Sequence, residues 1–185
     1  MTFIMKKTIV TTILFAFSLS IFSQTFEVPK DYKLIVDEDY APYKQDVVNF
    51  ADWLINTPVN LEQAKRQEAS EFFIDWISGS PDTHITGDYR IINFTEESLG
   101  FLIVFLSGWA KNTIETKNFK NTIAEAESDI DGIVAGNVAG IEAVIKFYKK
   151  NKSLLVPNKN IEKYIKLQEK GKLKKHIQKI VSKSK

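Results

Sequence analysis

The sequence predicts a mainly α-helical fold: a compact single-domain bundle of five or six helices around a buried central helix at about 95–115, with a small β-hairpin near 83–94. Three observations carry this. The run Leu99–Ala110 has no charged residue and only one polar side chain, Ser107. A helix apolar all round must be buried on nearly every side, and at 12 residues this one falls short of the roughly 20 that cross a bilayer. Apolar residues recur at helical spacings of three and four in the flanking segments. Small residues recur every fourth position at Ala124, Ser128, Gly132, Gly136 and Gly140, which aligns them along one helix face.

The chain has 185 residues, 44% of them hydrophobic, which places it among folding sequences of ordinary domain size. It has no cysteine, so disulfides, thiol nucleophiles, Cys–zinc sites and a lipoprotein anchor are all excluded. Its two histidines, His84 and His176, lie far apart in the chain and argue against a multi-histidine metal centre.

Residues 1–23 read as a secretory leader. Lys6 and Lys7 precede the uncharged run Thr8–Phe22, and Ser23 supplies a small residue at the expected cleavage point. The other reading is a retained anchor, but polar Gln24 and Thr25 follow at once. The segment is set apart from the fold, and the product at 24–185 is expected in the periplasm or outside the cell.

The elements follow in order. Residues 24–41 lack a helical period and read as an extended lead-in, with a short strand at Tyr32–Val36 and an acidic turn at 37–39. Pro42 suits a first helical turn, and Val47, Phe50, Ala51 and Leu54 make one apolar face before Thr57-Pro58 stops the helix. Asn60 and Gln63 have capping-box spacing for the next helix, which carries Phe72, Phe73, Trp76 and Ile77 and ends at Gly79, a residue suited to a left-handed stop. The β-favouring runs Thr83–Thr86 and Tyr89–Phe94 around Gly87-Asp88 suggest the hairpin.

Thr95 is the expected cap of the central helix, with Glu96 and Glu97 complementing its positive end. Asn118 or Asn121 opens a long segment to Tyr148. An interior glycine costs a helix up to about 1 kcal/mol relative to alanine, so its glycines need a reason. Close approach of the bulky helix 95–115 supplies one; a break at Asp131-Gly132 is the alternative. After Pro157, capped by Asn158 or Asn160, the apolar residues Ile161, Tyr164, Ile165 and Leu167 recur, Gly171 interrupts, and Leu173, Ile177 and Ile180 continue.

Charge is unevenly placed. Residues 24–148 hold 10 basic and 21 acidic residues, a net of −11, whereas 149–185 hold 13 lysines and two glutamates, a net of +11. Lys149–Lys185 therefore reads as a basic amphipathic segment. Its apolar stripe completes the core with lysines toward the acidic body, or it contacts an anionic membrane surface. Arginine is absent there and Tyr164 is the lone aromatic apart from Tyr148 just before it, which argues against nucleic acid.

Candidate site residues are few. Ser80, Asp82 and His84 place a hydroxyl, a carboxylate and an imidazole in one loop, the residue types of a hydrolase, without a Gly-x-Ser-x-Gly elbow. Turn chemistry alone also produces that composition. Glu127, Asp129 and Asp131 before Gly132 resemble half of a calcium loop, but Val138 stands where the closing glutamate belongs. Trp53, Trp76 and Trp109, with Tyr40 and Tyr43, are candidates to line a ligand groove or to fill the core. With no phosphate or metal motif, no cofactor is expected. The functional expectation is a non-enzymatic binding or interaction protein, its partner a protein or small molecule.

Overall fold

The computed structural model describes residues 26–81, 83–98 and 100–183. The leader expected at 1–23, as well as Asp82 and Leu99, lies outside the described residues. Among the described residues there are eight α-helices and no strand, so the helical class holds while the helix count exceeds five or six. They are α1 Lys44–Asn56, α2 Gln63–Gly79, α3 Tyr89–Ile92, α4 Gly100–Thr116, α5 Ile123–Ser128, α6 Ile130–Lys150, α7 Lys159–Glu169 and α8 Leu173–Val181. No described helix is long and apolar enough to cross a membrane.

The core is a pair, α4 against α6. Gly108 of α4 meets α6 so closely that a Cβ there would lie 2.5 Å from Ala143 Cβ and 3.0 Å from the Ala139 carbonyl oxygen. Gly140 of α6 faces Phe105, and Gly136 faces the indole of Trp109. The small-residue stripe is therefore a slot for the aromatic rings of α4, which overcomes the low helix propensity of glycine. Val104 and Phe105 are fully enclosed, whereas Leu102 and Leu106 are only half-buried, Leu106 at the edge of an open hollow.

Around this pair, α1 covers α4, and α8 lies on α6. Phe26 at the start of the described chain tucks against Phe50 and Trp53, with ring centroids 5.9 and 5.7 Å away. The buried Asn151 at the end of α6 accepts from the Val59 amide at 2.8 Å, which ties the α1–α2 connection to the core pair. One core cluster runs from Phe26 to Val181.

Several local expectations are corrected. Tyr32–Val36 forms no strand, and the 83–94 hairpin is absent: 83–88 is irregular, α3 follows, and 93–97 is a 3-10 turn. Ile91 and Phe94 explain this, because both are fully buried and their spacing of three is helical rather than alternating. Asp88 caps α3 by accepting from the Arg90 amide at 2.9 Å. Thr95 does not cap α4, since its hydroxyl donates to the Ile92 carbonyl at 2.8 Å within that 3-10 turn. At α2 the preceding residue is Glu62, left-handed at φ 51°, and Asn60 does not cap. Gly79 is helical, not left-handed; its hydrogen is required because a Cβ would strike the Tyr40 hydroxyl. The left-handed glycine is Gly171 at φ 62°, between α7 and α8. The long segment from 118 also breaks, at Asp129, two residues before the Asp131-Gly132 point of the alternative reading.

The basic C-terminal segment docks through its apolar stripe. Ile161, Tyr164, Ile165, Leu173, Ile177 and Val181 enter the core. Buried Asn158 donates to the Phe94 carbonyl at 3.0 Å and caps α7 through the amides of Asn160 and Ile161. Tyr164 donates to the Ile91 carbonyl at 2.9 Å; burial, then the charge of Asp88, pushes its phenol up to about 12. Among the described residues the segment's ion pairs are Lys149–Glu169 at 3.6 Å and Lys152–Glu162 at 2.9 Å, both with its own glutamates. Apolar packing and hydrogen bonds to the carbonyls of Ile91 and Phe94 hold it in place, with no ion pair to the acidic body among the described residues.

Candidate functional site

The loop 80–88 is fixed at both ends. Ser80 terminates α2, its amide donating to the Trp76 carbonyl at 3.0 Å, and its side chain is buried. At the other end Asp88 holds the Arg90 guanidinium, which reaches on to the Ile180 carbonyl of α8 at 3.2 Å. Between these anchors Thr83 is buried and Ile85 packs against the core, while Gly87 is exposed. A Cβ on Gly87 would have no neighbour within 4 Å.

The opposite wall is the α5–α6 corner. Thr122 caps α5 by accepting from the Glu125 amide at 3.1 Å, and Asp129 caps α6 by accepting from the Gly132 amide at 3.0 Å. This corner faces the loop across two adjoining hollows that share Thr86, Gly87 and Glu127. The larger, about 730 Å³, is lined by Ser80, Thr83, His84 and Ile85 on one side and by Leu106, Ile123 and Ala126 on the other. The smaller, about 270 Å³, lies between Asp88, Ile130, Ile133, Asn137 and Val181.

His84 lines the larger hollow and Asn137 the smaller, and in each a buried side-chain atom, His84 Nε2 and Asn137 Oδ1, has no hydrogen-bond partner among the described residues. Asn137 is 0% exposed, and its amide nitrogen donates to the Ile133 carbonyl at 2.8 Å, which fixes its orientation. Buried polar atoms are almost always paired, and an unpaired one costs about 1–3 kcal/mol. A bound molecule with a matching donor relieves that cost. The carboxylate of Glu127 at the rim disfavours an anion, and the isoleucines and Val181 favour an apolar body.

The residues singled out from sequence are placed as follows. Ser80 and His84 line the same hollow, while Asp82 is outside the described residues. Glu127 and Asp131 are exposed. Asp129 is engaged by the Gly132 amide, by Asn118 Nδ2 at 3.0 Å and by Lys120 Nζ at 3.0 Å, which together hold its carboxyl down at about 2. A lysine on that carboxylate occupies the place a cation would take, and no described cluster of three or more His, Asp or Glu side chains has metal-binding geometry.

The three tryptophans are core residues, and none lines either hollow. Trp76 donates to the Tyr40 carbonyl at 3.0 Å, Trp109 packs edge-on to Phe105 with centroids 5.9 Å apart, and Trp53 lies under the Arg66 guanidinium. Asn137 carries no signal in the sequence, because it is one polar residue inside an apolar helical run. Only the α5–α6 corner reveals that it faces a hollow.

Compared with known proteins, the chain matches no family model, no curated protein and no solved structure at a significant level.

Proposed function

We propose that this is a non-enzymatic binding protein of the periplasm or extracellular space, whose ligand lies in the groove between loop 80–88 and the α5–α6 corner. The supporting observation is a pair of buried atoms without a partner among the described residues, His84 Nε2 and Asn137 Oδ1, on residues that line adjoining hollows. The ligand this chemistry favours is a small neutral or cationic molecule with an N–H or O–H donor for Asn137 and an apolar body for Ile130 and Ile133. The extracellular assignment rests on the charged, apolar and small-residue order of residues 1–23.

A crystallographic fragment screen with amine- and amide-bearing fragments tests the reading. Fragments should collect in the groove with a donor on Asn137 Oδ1, and Gly87→Phe, which fills open space, should abolish that occupancy while leaving the melting temperature unchanged. Fragments scattered over the surface without preference for the groove overturn it. Ser80 and His84 on one hollow favour hydrolysis of the ligand as a second reading. That reading requires ester turnover that Ser80→Ala removes.

A further inference from the structure

The outer face of the C-terminal segment carries a feature independent of the groove. Lys159, Lys163 and Lys166 of α7, and Lys170 just past its end, follow one another at spacings of four, three and four, so they share one face. All four are exposed, and none has an ion-pair partner among the described residues. They line a hollow of about 370 Å³ whose remaining wall is Pro157, Asn158, Glu162 and Leu167. Glu162, the one acid there, is already engaged by Lys152 at 2.9 Å.

The connection leading into this face is apolar at its tip. Leu154 is 49% exposed and Val156 is 77% exposed, immediately before Pro157 at the rim of the lysine hollow. Neither is needed for the core, which Leu155 between them contacts instead. An exposed apolar tip flanked by lysines is the arrangement that enters the headgroup region of an anionic bilayer. The face displays no arginine and no exposed aromatic for stacking on bases.

We propose that residues 152–170 form a membrane-docking surface: Leu154 and Val156 enter the boundary between headgroups and acyl chains of an anionic bilayer, and Lys159, Lys163, Lys166 and Lys170 take up lipid phosphates. Docking is peripheral and reversible. The apolar stripes of α7 and α8 stay in the core, because detaching them would expose Ile161, Ile165 and Ile177. The lysine face of α7 thus presents charge to the bilayer, and only the 154–156 tip penetrates.

Co-sedimentation of the folded protein with vesicles tests this. Vesicles of phosphatidylglycerol and phosphatidylcholine in equal parts should bind it, and phosphatidylcholine vesicles should not. Lys163→Gln together with Lys166→Gln should weaken partitioning roughly 25-fold, at about fivefold per lysine near the surface. Leu154→Ser together with Val156→Ser should weaken it at least about tenfold and leave the residual binding more sensitive to salt. All four side chains are exposed in the free protein, so circular dichroism and melting temperature should not move. Failure to bind the anionic vesicles, equal binding to both vesicle types, or binding that survives the lysine pair overturns the proposal. So does lysine-dependent binding of a soluble polyanion such as heparin that is insensitive to the Leu154/Val156 pair and is not accompanied by vesicle binding.

Discussion

Replacing Gly140 by alanine should destabilise this protein, although the same change on a free helix stabilises it. Alanine gains up to about 1 kcal/mol of helix propensity over glycine. At Gly140 the new Cβ would stand 2.6 Å from Phe105 Cδ2 and 2.8 Å from the Phe105 carbonyl oxygen. A ring edge can rotate, but a backbone carbonyl within a helix moves only if α4 moves. Overpacking of this kind costs about 1–3 kcal/mol, and with α4 pinned by Trp109 in the Gly136 slot the upper part of that range applies. The net expectation is a loss of about 1–2 kcal/mol, or roughly 2–8 °C in melting temperature at about 2–4 °C per kcal/mol for a chain of this size. Urea titration followed by far-ultraviolet circular dichroism measures it. Gly87→Ala, with open space around its Cβ, is the control and should stay within about 0.5 kcal/mol of the parent. If Gly140→Ala proves as stable as the parent or more so, α4 and α6 are not in backbone contact and the reasoning fails. A double-mutant cycle sharpens the test. Gly136→Ala should cost less in a Trp109→Leu background, because the indole atoms that obstruct its Cβ are gone.

Two further outcomes follow from the same framework. Phe105→Ala should cost about 3–5 kcal/mol in the same titration, since the ring is fully enclosed between Phe94, Trp109 and Gly140; a cost under about 1 kcal/mol would mean the slot closes around the missing ring. Asp129→Ala should cost about 1 kcal/mol at neutral pH through loss of the α6 cap, with a pH signature. The Asp129 carboxyl is held down at about 2, below its ordinary 3.8, so its stabilisation is complete above about pH 4 and is lost as the pH falls toward 2. Parent and variant should therefore converge in stability over that window; a gap that stays constant from pH 7 to about pH 2 would show that the carboxylate charge is irrelevant there.

The parts of the fold that were legible from sequence are those governed by repetition. The uncharged run after Leu99, the stripe ending in Gly136 and Gly140, and the spacing of Ile161, Tyr164 and Ile165 each repeat one signal over several turns, so neighbouring positions reinforce it. Single-residue inferences fared worse. Thr95 has cap chemistry but spends its hydroxyl on Ile92, and Asn60 likewise gives way to a left-handed Glu62. The 83–94 region misleads because β-favouring residues are also good core residues, and with no second strand to pair with, Ile91 and Phe94 bury their side chains from a helical turn instead. At the candidate site His84 was visible as an unusual residue type, whereas Asn137 was not.

By itself, then, the sequence determined the class, the apolar faces and the contrast between an acidic body and a basic end, because these depend on composition and period, which the chain carries locally. It also determined that α4 and α6 would approach closely, since small residues facing bulky ones leave few other packings. The tertiary structure alone decided where charge and polarity end up. Docking of α7 and α8 through their apolar stripes turned Lys159, Lys163, Lys166 and Lys170 outward instead of toward the acidic body, and left Leu154 and Val156 uncovered beside them. The break at Asp129 set the α5–α6 corner opposite loop 80–88 and so opened the groove onto Asn137. Those placements depend on which surfaces the burial of apolar area brings together, and residues distant in the chain settle that jointly.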